Sequence, residues 1–131
     1  MTSNSDLKRF LAAYPQQVEG LTLGARSVVL AAAPQATEML DAAAKIIGYG
    51  FGSGYKGLIC TLILSQAEVK LGIVRAVELP DPKNLMEGTG KTHRYIRIRT
   101  AADLKKPGLK PLLKAAVKAA RKRSESGSHP V

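Results

Sequence analysis

A short link between two strand-like segments is the feature that most limits how this chain can fold. The segment Leu58–Leu64 is apolar on both sides, which is typical of a central strand. In Val69–Ile73, apolar residues alternate with Lys70 and Gly72, as in a strand with one exposed face. The link through Ser65–Ala67 is too short for the crossover that parallel strands need. The pattern therefore predicts a β-hairpin, and with it an antiparallel sheet.

Further elements are predicted on both sides of this hairpin. Strand patterns occupy Ile46–Phe51 and Arg94–Arg99, while helical patterns run over 6–14 and from 15 to 34, and more weakly over 36–41. A closing helix is predicted from a stripe of apolar residues with lysines on the opposite side: Leu109, Leu112, Leu113, Ala116, Val117 and Ala120, against Lys110, Lys114 and Lys118. The sequence thus predicts an α+β two-layer sandwich, with N-terminal helices and a C-terminal helix on one face of an antiparallel sheet of about four to five strands. Residues 1–123 are predicted to form one domain, and the polar residues 124–131 to be disordered.

The positive charge is concentrated in the last third of the chain. Residues 1–90 hold eight basic and eight acidic residues, whereas residues 91–131 hold twelve basic residues against Asp103 and Glu125. The whole net charge of +10 therefore lies in that last segment. Such asymmetry favours an anionic partner. The sequence leaves open whether that partner is a small molecule, an acidic protein surface or a nucleic acid. A well-solvated lysine-rich helix explains the same charge without any partner.

Several features predict a cytoplasmic protein without a membrane anchor. The segment Met1–Asp6 lacks the basic-then-apolar pattern of a secretion signal, and Leu58–Leu64 is too short to cross a bilayer. Cys60 is the only cysteine and lies inside that apolar run, so we expect a buried, unreactive thiol. The sequence leaves open whether the chain is a monomer or a homodimer.

Two glycine-containing segments resemble phosphate-binding loops. Residues 52–57 have the G-x-G-x-x-G spacing, but a strand pattern follows them, so a hairpin turn is the better interpretation. Residues 88–92 read Gly-Thr-Gly-Lys-Thr, but the full phosphate-loop pattern requires a glycine where Leu85 stands. A turn of this kind can still point backbone N–H groups at an anion, with Lys91 and Arg94 close by.

The predicted strand after this turn carries a basic face. His93, Tyr95, Arg97 and Arg99 alternate along it, and an aromatic ring among cations is a mixture that nucleic-acid-binding surfaces use. The same residues also suit a solvated sheet edge. Only one other histidine exists, His129, and no carboxylates cluster at metal-ligand spacing. The sequence therefore predicts no catalytic residue, no cofactor and no metal ligand, although a site assembled in space is left open.

The segments Leu79–Pro82, Leu85–Lys91 and Arg94–Ile98 resemble the YdhG-like family of unknown function. The resemblance runs from about Phe10 to Ala120 and implies a frataxin-like sandwich of helices on an antiparallel sheet. Some members of that family are described as intracellular iron chaperones, which implies iron as a cargo. Frataxin-like iron binding uses an acidic ridge, and this chain offers in that region only scattered acidic residues: Asp6, Glu19, Glu38 and Asp41.

The leading hypothesis is a non-enzymatic binding module for an anionic ligand or acidic partner. Its predicted site comprises Gly88, Thr89, Gly90, Lys91, Arg94, Arg97 and Arg99. The alternatives are a frataxin-like iron chaperone and a nucleic-acid-binding protein. An enzyme with a pocket containing Tyr49, Tyr55 or His93 is a further possibility.

Overall fold

The fold is described from a computed structural model that covers residues 3–52, 55–81, 83–88 and 92–127. It contains three α-helices and five β-strands. In chain order these are α1 (Asn4–Leu11), α2 (Gln16–Ala32), β1 (Thr37–Asp41), β2 (Ile46–Gly50), β3 (Leu58–Leu64), β4 (Val69–Ile73), β5 (Arg94–Ile98) and α3 (Leu109–Gly127). Three short 3-10 helices lie at Tyr55–Gly57, Ala76–Glu78 and Ala101–Lys105.

The five strands form one antiparallel sheet in the order β1-β2-β3-β4-β5. The predicted hairpin is β3–β4, and its turn is held by Ser65, whose hydroxyl accepts the backbone N–H groups of Ala67 and Glu68. The apolar segment Leu58–Leu64 is the central strand, as predicted. The predicted α+β fold with helices packed on an antiparallel sheet is therefore confirmed.

The two faces of the sheet differ in burial because strand side chains alternate. One face carries apolar side chains that pack against the helices, including Ile47, Leu62, Leu71, Ile96 and Ile98, none more than 2% exposed. The opposite face carries Met39, Ile63 and Lys70, which are exposed or half-buried. The structure is thus a two-layer sandwich whose sheet is covered on one side by helices.

The prediction of a helical start at residues 36–41 is wrong, because Thr37–Asp41 is the edge strand β1. Its exposure alternates with period two, and its backbone supplies the hydrogen-bonding partners that β2 needs on that side. The turn that follows is closed by the Asp41 carboxylate, which accepts the backbone N–H of Ala44 at 3.0 Å. Lys45 completes it with a positive φ of 61°.

The three helices begin and end close to the predicted positions, with differences at their ends. Ser3 caps α1 by accepting the N–H of Asp6. Pro15 lies at the cap of α2. Gly24 allows a close approach between α2 and the 3-10 helix at Ala101–Lys105, since a Cβ there would lie 2.8 Å from the side chain of Leu104.

Helix α3 extends through Gly127, so residues 124–127 of the predicted tail are helical. The side chain of Arg123 holds this end of the helix, donating to the carbonyl oxygens of Lys56 at 3.1 Å and Leu58 at 3.0 Å. The rest of the predicted tail, residues 128–131, lies outside the described residues. Within the described ranges, no helix is long and apolar enough to cross a membrane.

Candidate functional site

The predicted basic strand is β5, which forms the edge of the sheet opposite β1. Gly88 has a φ of 112°, and a Cβ at this position would lie 3.1 Å from the ring of Tyr95, so glycine is required on both counts. Glu87 forms an isolated bridge with Tyr95, which brings this turn against the strand. The predicted site residues Thr89, Gly90 and Lys91 lie outside the described residues.

Two of the predicted site arginines, Arg97 and Arg99, lie near carboxylates of this chain. Both Arg97 and Arg99 lie near one oxygen of Glu68, at 3.7 Å and 3.6 Å. Arg97 also lies 3.9 Å from Glu87. Arg94 donates to the carbonyl oxygen of His93 at 3.1 Å. The structure therefore brings Arg97 and Arg99 together, but around an internal carboxylate that partly neutralises them.

A longer basic surface runs along the boundary between α2 and α3. Three hollows of about 570, 460 and 500 Å³ lie there in succession. The first two share Val28 and Lys110, and the last two share Ala32 and Lys114, so the hollows form one continuous groove. We call it the α2–α3 groove. Its floor is formed by small and apolar side chains, and its α3 side is lined by lysines.

Four of these lysines form a regular row, which we call the lysine stripe: Lys110, Lys114, Lys118 and Lys122. Residues four apart lie on the same side of a helix, about 6 Å apart along the axis. All four are exposed, and the opposite side of α3 packs into the core through residues such as Leu113. Among the described residues, no carboxylate forms an ion pair with any of the four. The stripe is therefore a row of unneutralised charge.

The sequence of α3 explains why the stripe stays unpaired. Residues 105–123 contain eight Lys or Arg and no Asp or Glu, so Lys110, Lys114 and Lys118 have no carboxylate at the i±3 or i±4 positions that form surface ion pairs. Glu125 follows Lys122 by three residues, and both line the third hollow. The ion pair of Lys106 is made with Asp103, which precedes that segment. In the sequence, solvation alone accounts for the α3 lysines. Their spacing is visible there, but their position beside a groove depends on α2 lying next to α3, which the sequence does not show.

The arginines at the end of α3 pack on the loop between β2 and β3. The guanidinium of Arg121 lies 4.8 Å from the centre of the Phe51 ring, and Arg123 binds the carbonyl oxygens described above. Arg121 stays exposed at the surface of the helix, whereas Arg123 is half-buried. Arg121 also lines the third hollow, so its charge stays near the α2–α3 groove.

The G-x-G-x-x-G segment is the connection between antiparallel neighbours β2 and β3, as predicted. The backbone N–H of Phe51 donates to the carbonyl of Gly57 at 2.8 Å. A Cβ at Gly57 would lie 2.0 Å from the carbonyl oxygen of Phe51, so this glycine serves a tight backbone contact. Close packing thus accounts for the glycine at residue 57.

Buried polar groups form one network between α2 and the sheet. The Glu38 carboxylate accepts from the Tyr49 hydroxyl at 2.6 Å and from Arg26 at 2.7 and 3.2 Å. Burial, together with the bond to Glu38, raises the pKa of Tyr49 far above its ordinary value. Burial raises the pKa of Cys60 to about 12, so its thiol is protonated at neutral pH, as expected for an unreactive cysteine.

The described residues contain no group of three or more His, Cys, Asp or Glu side chains that could hold a metal ion. Comparisons with known proteins found no matching family model, no matching curated protein and no matching solved structure. The resemblance to the YdhG-like family therefore stays a prediction.

Proposed function

We propose that this protein is a non-enzymatic binding module that holds an extended polyanion along the lysine stripe of α3. The observation that carries this proposal is the row of four exposed lysines without carboxylate partners, bordering a continuous groove. Neighbouring lysines lie about 6 Å apart along the axis, which is less than the screening length of about 8 Å at physiological salt. Their potentials therefore overlap and act together on a nearby anion.

The shape of the stripe favours an extended anion over a small one. From Lys110 to Lys122 the helix advances by about 18 Å, so the four lysines are spread along the helix instead of converging on a point. A single phosphate or carboxylate could contact only one or two of them. A chain of phosphates can contact all four, so we favour the phosphodiester backbone of a nucleic acid as the partner.

The composition of the groove favours binding that is independent of base sequence. Lysine ammonium groups act as point charges on phosphates and carry no directional code for base edges. The Phe51 ring beside the groove is covered by Arg121, and the hollows are lined by aliphatic side chains, lysines, Arg121, Ser27 and Glu125. The residues that line the groove therefore support backbone recognition without base stacking.

The test is a salt titration of binding to a fluorescein-labelled DNA duplex, followed by anisotropy. If the four lysines each neutralise one phosphate, the slope of log K against log salt is about −3.6, and affinity falls about 150-fold between 50 and 200 mM salt. The double variant Lys114→Gln/Lys118→Gln is expected to reduce the slope to about −1.8.

The matched control is Lys8→Gln/Lys45→Gln, which removes the same charge from exposed lysines away from α3. It is expected to leave the slope close to the wild-type value, as is Arg94→Gln in the strand that the sequence analysis favoured. If both double variants reduce the slope equally, the lysine stripe is not the site. Binding to a poly-glutamate peptide but not to the duplex would assign the groove to an acidic protein instead.

A further inference from the structure

The face of the sheet opposite the helices is apolar at its centre, and we call it the open sheet face. Met39 and Ile63 on this face are 43% and 37% exposed, which is high for large apolar side chains in the middle of an element. A hollow of about 300 Å³ lies beside Ile63 and is lined mainly by apolar groups, with Leu58 and Tyr95 among its walls. A contiguous apolar surface with a polar rim is typical of an interaction site.

The strand register arranges this face symmetrically about the central strand β3. One row across the sheet reads Met39, Gly48, Thr61, Gly72 and Tyr95. A glycine therefore stands on either side of Thr61, and a large side chain at either end. Neighbouring side chains lie over both glycines: a Cβ at Gly72 would lie 2.9 Å from the Thr61 hydroxyl oxygen, and a Cβ at Gly48 would lie 3.7 Å from the side chains of Leu58 and Met39.

The neighbouring row carries opposite charges at its two ends. It reads Asp41, Ile46, Ile63, Lys70 and Arg97, with β3 again in the middle. The acidic end lies on β1 and the basic end on β4 and β5. A two-fold axis parallel to β3 exchanges β1 with β5 and β2 with β4, so it brings each acidic end opposite a basic end.

From this register we infer that the open sheet face binds a second copy of this chain, with the two-fold axis along β3. In that arrangement Ile63 meets Ile63, and Asp41 faces the Lys70–Arg97 end of the other copy. Met39 stands opposite Tyr95, where it can contact the edge of a ring whose face is covered by Lys70 and Arg97. Sulfur–aromatic contacts are favourable, and isologous interfaces require this self-complementarity. The axis places Asp41 opposite Arg97, which already lies near Glu68 and Glu87, and places Lys70 on the strand next to that position. Lys70 has no ion pair among the described residues, and its ammonium extends towards β5, 4.8 Å from the centre of the Tyr95 ring, so it is the cation available to Asp41 of the second copy.

The size of the face determines the strength of the association. Five strands about 4.8 Å apart and five residues long present about 400 Å² per copy, so the dimer buries about 800 Å² in total. This is below the standard interface size, and the dimer is therefore reversible. The lysine stripes lie on the helical layer, outside the interface, so they face solvent on both sides of the dimer.

The experiment is sedimentation velocity on the full chain from about 10 µM to about 1 mM, the range in which an interface of this size associates. The wild type is expected to shift from monomer to dimer across it. Ile63→Lys places two like charges at the axis and is expected to remain monomeric throughout. Leu23→Lys, at a similarly exposed apolar residue on α2, is the control and is expected to dimerise as the wild type does.

A charge exchange tests the axis itself. Asp41→Lys and Lys70→Asp are each expected to weaken the dimer about tenfold, because the two-fold axis repeats the contact. The double variant Asp41→Lys/Lys70→Asp is expected to restore dimerisation to within about threefold of the wild type. Circular dichroism confirms that each variant is folded.

The inference is overturned if the wild type stays monomeric at about 1 mM, or if Ile63→Lys and Leu23→Lys reduce dimer formation equally. It is also overturned if the double charge variant dimerises more weakly than either single charge variant. Binding of an anionic aromatic dye to a monomeric wild type, lost in Ile63→Lys, would assign the face to a small ligand and would also overturn it. Duplex binding by the lysine stripe is measured separately, so either proposal can fail without the other.

Discussion

Replacing Glu38 by alanine tests whether the buried network between α2 and the sheet stabilises the fold. The carboxylate accepts from the Tyr49 hydroxyl and from two nitrogens of Arg26. Tyr49 is fully buried, whereas the Arg26 side chain is 25% exposed and can turn towards water. Leaving the hydroxyl without a partner costs about 1–3 kcal/mol, and the charged hydrogen bonds from Arg26 add about 1–2 kcal/mol after allowance for that exposure. We expect Glu38→Ala to lower the free energy of unfolding by about 3 kcal/mol.

The assay is urea unfolding followed by circular dichroism at pH 7, with an unchanged m-value as the sign that both end states are preserved. The melting temperature is expected to fall by about 12 °C for a chain of this length. Tyr49→Phe alone removes one hydrogen bond and is expected to cost about 1 kcal/mol. In the Glu38→Ala background the same change removes the unpaired hydroxyl, so it is expected to raise stability. The reasoning is refuted if Tyr49→Phe lowers stability equally in both backgrounds.

Two further predictions concern a tight backbone contact and a buried thiol. Gly57→Ala is expected to lower the free energy of unfolding by about 3 kcal/mol or more, because the new Cβ would lie 2.0 Å from a carbonyl oxygen. At Gly20, inside α2, a Cβ would meet nothing within 4 Å, so Gly20→Ala is expected to raise the free energy of unfolding by about 0.5–1 kcal/mol. If urea unfolding shows that both substitutions change stability in the same direction, this explanation is contradicted. The pKa of Cys60 is raised from 9.0 to about 12, so above pH 9 the thiol ionises in the unfolded chain while it stays protonated in the folded one. The stability that the protonated thiol contributes is therefore complete below pH 9 and is lost as the pH rises towards 12. By pH 10.5 this ionisation lowers the free energy of unfolding by about 2 kcal/mol. The Cys60→Ala variant has no thiol to ionise, so its urea midpoint is expected to fall less between pH 9 and pH 10.5 than that of the wild type.

The strands and helices that the sequence predicted correctly are those whose pattern is local. Leu58–Leu64 and Val69–Ile73 carry their own alternation or apolar run, and their short link requires a hairpin. The edge strand Thr37–Asp41 was missed because it has only two apolar residues, Met39 and Leu40. Its conformation is set by pairing with β2 and by the burial of Glu38, and neither contact is visible within five residues.

The candidate site was only partly predictable for a related reason. The spacing of the lysine stripe is a property of one helix, but the groove beside it depends on α2 presenting Val28 and Ala32 next to α3. Similarly, Arg97 and Arg99 have a basic pattern in the sequence, while the carboxylate that engages them, Glu68, lies at the start of the neighbouring strand. Charge patterns along a chain therefore locate cations well and their partners poorly.

The consecutive order of the strands has a consequence for how the chain acquires its structure. Every strand pair joins neighbours in sequence, and the β1–β2 and β3–β4 pairs are hairpins with short loops that close rapidly. Residues 74–93 separate β4 from β5, so the last strand pairs across a longer connection. The contact of Arg123 with Lys56 spans 67 residues, and α3 supplies part of the apolar cover of the sheet. During synthesis, a sheet formed before α3 leaves the ribosome displays part of its apolar face uncovered. That nascent state is the point at which this protein is most exposed to aggregation and most in need of a chaperone.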